Sequence, residues 1–220
     1  MVKESASAGR VWDLPTRLFH WLLVALFAFL WFSGGESDAL MTWHMRAGYA
    51  LLALLLFRIA WGFVGSRRSR FADFLASPAL AWRYGRDFLR NRAPAWDGHN
   101  PLGGWMVLAM LVLLLAQAVS GLFATDDISI AGPLNGAVTS GVAGALTDFH
   151  GFNINLLLVL AGLHVAAVAA HRLRGERLTG AMISGRKAGA ADQPPAPAWR
   201  ALLLAVLAAG IVWLVVTLGG

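Results

Sequence analysis

Six histidines and no cysteine set the chemistry this chain can do: His20, His44, His99, His150, His164 and His171. Imidazole titrates near neutrality and is a common metal ligand. The lack of thiols excludes disulfides, thiolate-held iron–sulfur clusters and haem attached covalently through C-x-x-C-H. Any cofactor must then be held by histidine, methionine or carboxylates. His20, His44, His150 and His164 fall inside or at the edge of long apolar runs, where an ionisable side chain is costly and points to function. One such histidine would read as an interhelical hydrogen bond. Four of them need another account, and it depends on where the helices place them.

The elements follow from composition. The 220 residues are 58% hydrophobic and 14% charged, with a mean hydropathy of +0.61, which points to a membrane protein. A crossing needs roughly 20 apolar residues. The segments 15–33, 42–64, 103–124, 150–171 and 198–218 meet this length. The first is rich in Trp and Phe, and the "SGGESDA" after it is a poor cleavage site, so it is expected to be a retained span. Residues 1–187 form the expected membrane domain, 188–197 a linker and 198–218 a fifth helix. The expected fold is all-α: a four-helix transmembrane bundle plus one C-terminal transmembrane helix.

Lys and Arg alternate between connections. Lys3, Arg10 and Arg17 lie at the N-terminus, seven bases in 65–102 and five in 172–197, whereas 34–41 and 125–149 hold none. The positive-inside rule then places the N-terminus in the cytoplasm and the C-terminus outside. The net charge of +6 is accounted for by topology, which speaks against nucleic-acid binding. Within 65–102, "SPALAWRYGRDFLRNRAP" is predicted to be a helix capped by Ser77 with Pro78 at its first position. Leu80, Tyr84 and Phe88 share one face, and Arg83, Arg86 and Arg90 another, which suits the inner membrane surface.

Depth pairs the histidines. His20 lies roughly 9 Å into the first span and His164 roughly 12 Å from the same side. His44 and His150 are expected in the first turns of their helices at the other side. His150 and His164 share one face, about 21 Å apart. One helix presenting two imidazoles, each opposed by another, suits two stacked, non-covalent haems b, with His20 and His164 on the inner iron and His44 and His150 on the outer. Gly48, Ala161 and Ala167 near these positions suit a flat macrocycle or plain helix packing. His171 is read as a cation at a helix C-terminus, and His99 as a turn or capping residue. Arg46 and Arg58 are read either as partners of haem carboxylates or as snorkelling bases.

The stretches "VWDLPTRLFHWLL", "HMRAGYALLALLLFRIAWGFVG", "GHNPLGG", "SGLFATDD", "HGFNINLLLVLAGLHVAAV" and "MISGRK" resemble the bacterial cytochrome b561 family. The resemblance runs over roughly residues 11 to 187, and is closest to the branch that includes b-type cytochrome subunits of nickel–iron hydrogenases. It implies a four-helix core with two bis-histidine haems b on His20, His44, His150 and His164. It also implies residence in the bacterial inner membrane, electron exchange with quinone, and a periplasmic redox partner that is a hydrogenase or a c-type cytochrome. Glu36, Asp38, Asp126, Asp127 and Asp148 make the external connections acidic. They would attract a basic partner, although charge sorting alone also removes bases there. The alternatives are a stand-alone superoxide oxidase that reduces quinone, and a histidine-based metal transporter. An acidic face steers superoxide poorly. A transporter would need a polar path, for which Gln117, Ser120, Asn153 and Asn155 are scattered candidates.

Overall fold

A polar residue and a proline open three of the helices. Asp13 caps the first, with Pro15 in its first turn and the Thr16 amide donating to Oδ1 at 2.8 Å. Ser77 caps another ahead of Pro78, and Asn100 a third ahead of Pro101. Each cap satisfies an amide that the helix itself cannot, and proline loses nothing at a position whose amide has no intrahelical acceptor.

The computed structural model describes residues 8–35 and 38–219, with only the backbone of Asp38. In chain order the elements are β1 (Ala8–Arg10), α1 (Leu14–Ser33), α2 (Asp38–Val64), α3 (Phe71–Phe74), α4 (Pro78–Leu89), α5 (Pro101–Gly121), α6 (Ser140–Leu173), α7 (Leu178–Ser184), β2 (Arg186–Ala188) and α8 (Ala198–Gly219), with short 3-10 turns at 67–69 and 135–137. Among the described residues, α1, α2, α5, α6 and α8 are long and apolar enough to cross a membrane. This is the expected transmembrane helical bundle, with one addition. β1 and β2 pair antiparallel, Gly9 opposite Lys187. The pairing ties the N-terminal segment to the 172–197 connection, so these two basic segments share one end of the molecule.

α2 is the central helix. It packs against α1, α5 and α8, while α6 packs on α5. The core between them holds Phe19, Leu51, Leu55, Phe57, Trp61, Leu111, Leu114 and Leu157. Outward faces carry Trp31, Phe32, Phe63, Val206 and Trp213, all exposed, as a lipid-facing surface would be. α4 is the expected surface helix and lies against α5. It buries Tyr84 and leaves Trp82 and Leu89 exposed. The α5–α6 seam is braced by amides: Asn153 Nδ2 donates to the Leu113 carbonyl at 3.0 Å and to Gln117 Oε1 at 2.8 Å.

α6 is 34 residues long, about 51 Å, against a hydrocarbon core of about 30 Å. Its first ten residues, "SGVAGALTDF", precede the span expected at 150–171. Their Gly, Ser, Thr and Asp weaken the apolar signal, but the backbone continues helical through them. His150 is therefore the eleventh residue of α6 and His44 the seventh of α2. Neither lies in the first turn expected for it.

Candidate haem-binding site

α1 and α6 bring His20 and His164 together, with ring centroids 6.5 Å apart. α2 and α6 do the same for His44 and His150, at 6.4 Å. His150 and His164 are fourteen residues apart on α6, about 21 Å along its axis. The two pairs therefore stack along the bundle.

Imidazole nitrogen binds a first-row metal at about 2 Å. Two rings clamping one ion end-on consequently stand with centroids roughly 6 Å apart, as both pairs do. Among the described residues no group of three or more His, Cys, Asp or Glu is placed to hold a metal ion. Two imidazoles alone leave a bare ion short of ligands, but they complete the coordination of an iron whose macrocycle supplies the other four. Among the described residues α6 also makes no close seam with α1 or α2 comparable to its seam with α5, so the pairs face each other across the wide side of the bundle. The donor set and the spacing fit haem b.

The two pairs differ in what surrounds them. At the outer pair His44 Nδ1 lies 3.1 Å from Ser33 Oγ. His150 Nδ1 lies 2.9 Å from the Gln117 carbonyl and 3.2 Å from Ser120 Oγ. A carbonyl can only accept, so His150 Nδ1 carries the proton and Nε2 is left with a lone pair for a metal. Gly121 makes room: a Cβ there would stand 3.0 Å from the His150 ring, whereas one at Gly34 would meet the His44 ring only at an ordinary contact distance of 3.5 Å. Ser33, Gly34 and Gly121 did not stand out in the sequence, and Ser120 did so only as a scattered polar residue, because Gly and Ser in an apolar span read equally well as packing. At the inner pair His20 Nδ1 is sealed from solvent and has no hydrogen-bond partner among the described residues.

The remaining candidates are placed as follows. Arg46 is exposed with its guanidinium 5.0 Å from the Trp43 ring, which fits a base reaching for the surface. Arg58 does not snorkel. It is 2% exposed and lies among the rings of Phe19, Phe71 and Phe74. His99 is not a cap, a part played by Asn100. It packs between Trp12 at 4.6 Å and Phe74 at 4.7 Å. Burial, followed by the charges of Arg58, His164 and His20, pushes its pKa down to about 3. His171 sits in the last turn of α6, as its position implied, but it is buried in a polar cluster. Its Nδ1 is 3.2 Å from Glu176 Oε1 and its Nε2 3.2 Å from Asn100 Nδ2. Lys187 completes the cluster at 3.2 Å from Glu176 Oε2.

Asp13 was missed by sequence reasoning. It is a buried carboxylate that also accepts from Trp61 Nε1 at 3.1 Å and Ser69 Oγ at 3.3 Å. At the other end of the bundle Asp126 folds its own loop. Backbone amides of Ile130, Ile128 and Ser129 donate to it and hold its carboxyl at about 2. Glu36 and the Asp38 side chain lie outside the described residues.

A family model described as prokaryotic cytochrome b561 matches residues 11–185. Two relatives, from Escherichia coli K12 and O157:H7, are each named "Probable Ni/Fe-hydrogenase 1 B-type cytochrome subunit". Each is 28% identical over 135 residues, which is 50% of this chain and 57% of the relative. The chain thus spans little more than half the length of these curated relatives. No solved structure matches.

Proposed function

Because the chain belongs to the prokaryotic cytochrome b561 family, a family of membrane b-type cytochromes in electron transfer, we propose that it carries electrons between two haems b. In this reading His20 and His164 hold the inner haem, and His44 and His150 the outer. The observation that carries it is the pair of imidazole clamps at 6.5 and 6.4 Å, offered by one helix to two neighbours. Bound haem supplies one-electron exchange at its iron. The chain's part is to ligate it, to orient the outer imidazoles through Ser33, Ser120 and the Gln117 carbonyl, and to exclude water with the apolar core.

In this reading the protein lies in the bacterial inner membrane, and the alternation of bases supports a cytoplasmic basic end and a periplasmic C-terminus. The redox partner is a periplasmic protein, a hydrogenase or a c-type cytochrome. The name of the relatives supports the first. The acidic outer residues Asp126, Asp127 and Asp148 suit a basic partner of either kind. Quinone is the partner at the cytoplasmic side. Its reduction consumes protons as well as electrons, and the buried His171–Glu176–Lys187 cluster offers groups able to hand them on. A metal-transport role is disfavoured because Gln117, Ser120 and Asn153 are spent on the α5–α6 brace and on His150. Asn155 bonds its own helix.

The test is optical. Purified full-length protein, oxidised, is mixed anaerobically with a short-chain quinol, and separately the dithionite-reduced protein with the quinone. A b-type α-band that rises in the first case and falls in the second is expected. Haem-loaded protein inert to both would remove quinone. Rapid haem reduction by superoxide would favour a stand-alone superoxide oxidase.

A further inference from the structure

Arg58 is a buried cation without a direct counter-charge. Its Nη1 has no hydrogen-bond partner among the described residues, where it also makes no ion pair. Asp13 is close enough for its charge to act on Arg58, yet its carboxylate already accepts from the Thr16 amide, Trp61 and Ser69. Leaving a guanidinium among Phe19, Phe71 and Phe74 is expensive unless an anion meets it. Arg58 follows His44 on α2 by fourteen residues, the interval that separates His150 from His164 on α6. α2 therefore presents Arg58 on the His44 face and at the depth of the inner pair. His99 stands near Arg58, His20 and His164, whose charges all act on it, and its Nδ1 is also sealed and unpartnered.

We infer that Arg58, with His99 beside it, receives the carboxylate side chains of the inner haem, and that its charge holds this haem at a higher reduction potential than the outer one. This rests on the dihaem reading above. A fixed positive charge favours the reduced form, which carries one positive charge fewer. At the outer pair the Nδ1 hydrogen bonds make the imidazoles stronger donors and favour the oxidised iron. Both effects direct electrons from the outer haem to the inner.

A redox titration of the full-length protein, with haem content measured in parallel, tests this. Wild type should titrate as two components with two haems per chain. Arg58→Gln should lower only the higher component, by about tenfold in the reduced-to-oxidised ratio, 59 mV for one electron. Arg58→Lys should recover most of that shift, and Ser33→Ala should raise only the lower component. Loss of one haem in Arg58→Gln with both retained in Arg58→Lys would also support the assignment. Two unmoved components with both haems bound would overturn it. So would Arg58→Gln and Ser33→Ala moving the same component, or haem loss in both Arg58 variants. Wild type with fewer than two haems would instead overturn the dihaem reading, before any Arg58 variant is compared.

Discussion

The two outer imidazoles, His44 and His150, depend on small neighbouring groups. Ser120→Ala removes one of two partners of His150 Nδ1, so the Gln117 carbonyl should keep the ring oriented and haem content should stay near wild type. Gly121→Val has no such reserve: the added side chain meets the His150 ring. It should lose one haem of two, measured as pyridine haemochrome per chain. His99 carries a pH signature. Its folded pKa is about 3 against about 6.5 unfolded, so between those values the unfolded chain binds a proton that the folded chain does not. Stability should rise with pH across this window, by at most about 1.4 kcal/mol per unit. Thermal unfolding of the haem-free protein from pH 4 to 7 should show the slope, and His99→Phe should flatten it. The four paired histidines were legible in the sequence, because an ionisable residue in an apolar run is conspicuous and depth follows from counting. Arg58 was legible only as a base with two readings, a partner of haem carboxylates or a snorkelling residue: its burial depends on Phe71 and Phe74 from α3, which only the tertiary fold brings to it.

Among the elements, the α5–α6 seam holds the outer site in register. Asn153 is fully buried and donates both to the Leu113 carbonyl and to Gln117. Asn153→Leu strips those donors from two part-buried acceptors and should cost about 1–3 kcal/mol, read as a lower midpoint in detergent unfolding. Helix positions were legible because apolar length and caps such as Ser77–Pro78 carry the signal. The start of α6 was not, since Ser140 to Phe149 look like a connection while the helix runs on beyond the span. The β1–β2 pair was equally hidden. Its three-residue strands carry no periodicity, and their pairing is a long-range event.

For the whole molecule, the alternation of basic and acidic ends orients the account. A reporter active only outside the cytoplasm should be active when fused at the C-terminus and silent when fused within 172–197. Electron transfer from a basic periplasmic donor should slow as salt rises from 0.01 to 0.15 M, roughly the range over which screening of exposed charges sets in. In the proposed arrangement two haems stack on α6, one clamped by His20 and His164 and one by His44 and His150. The most direct measurement is haem per chain across wild type and the four single alanine variants. Wild type should hold two haems and each variant one, with matching reduced spectra for His20→Ala and His164→Ala, and a second, different matching spectrum for His44→Ala and His150→Ala. One haem in wild type, or spectra that pair His20 with His44, would contradict it.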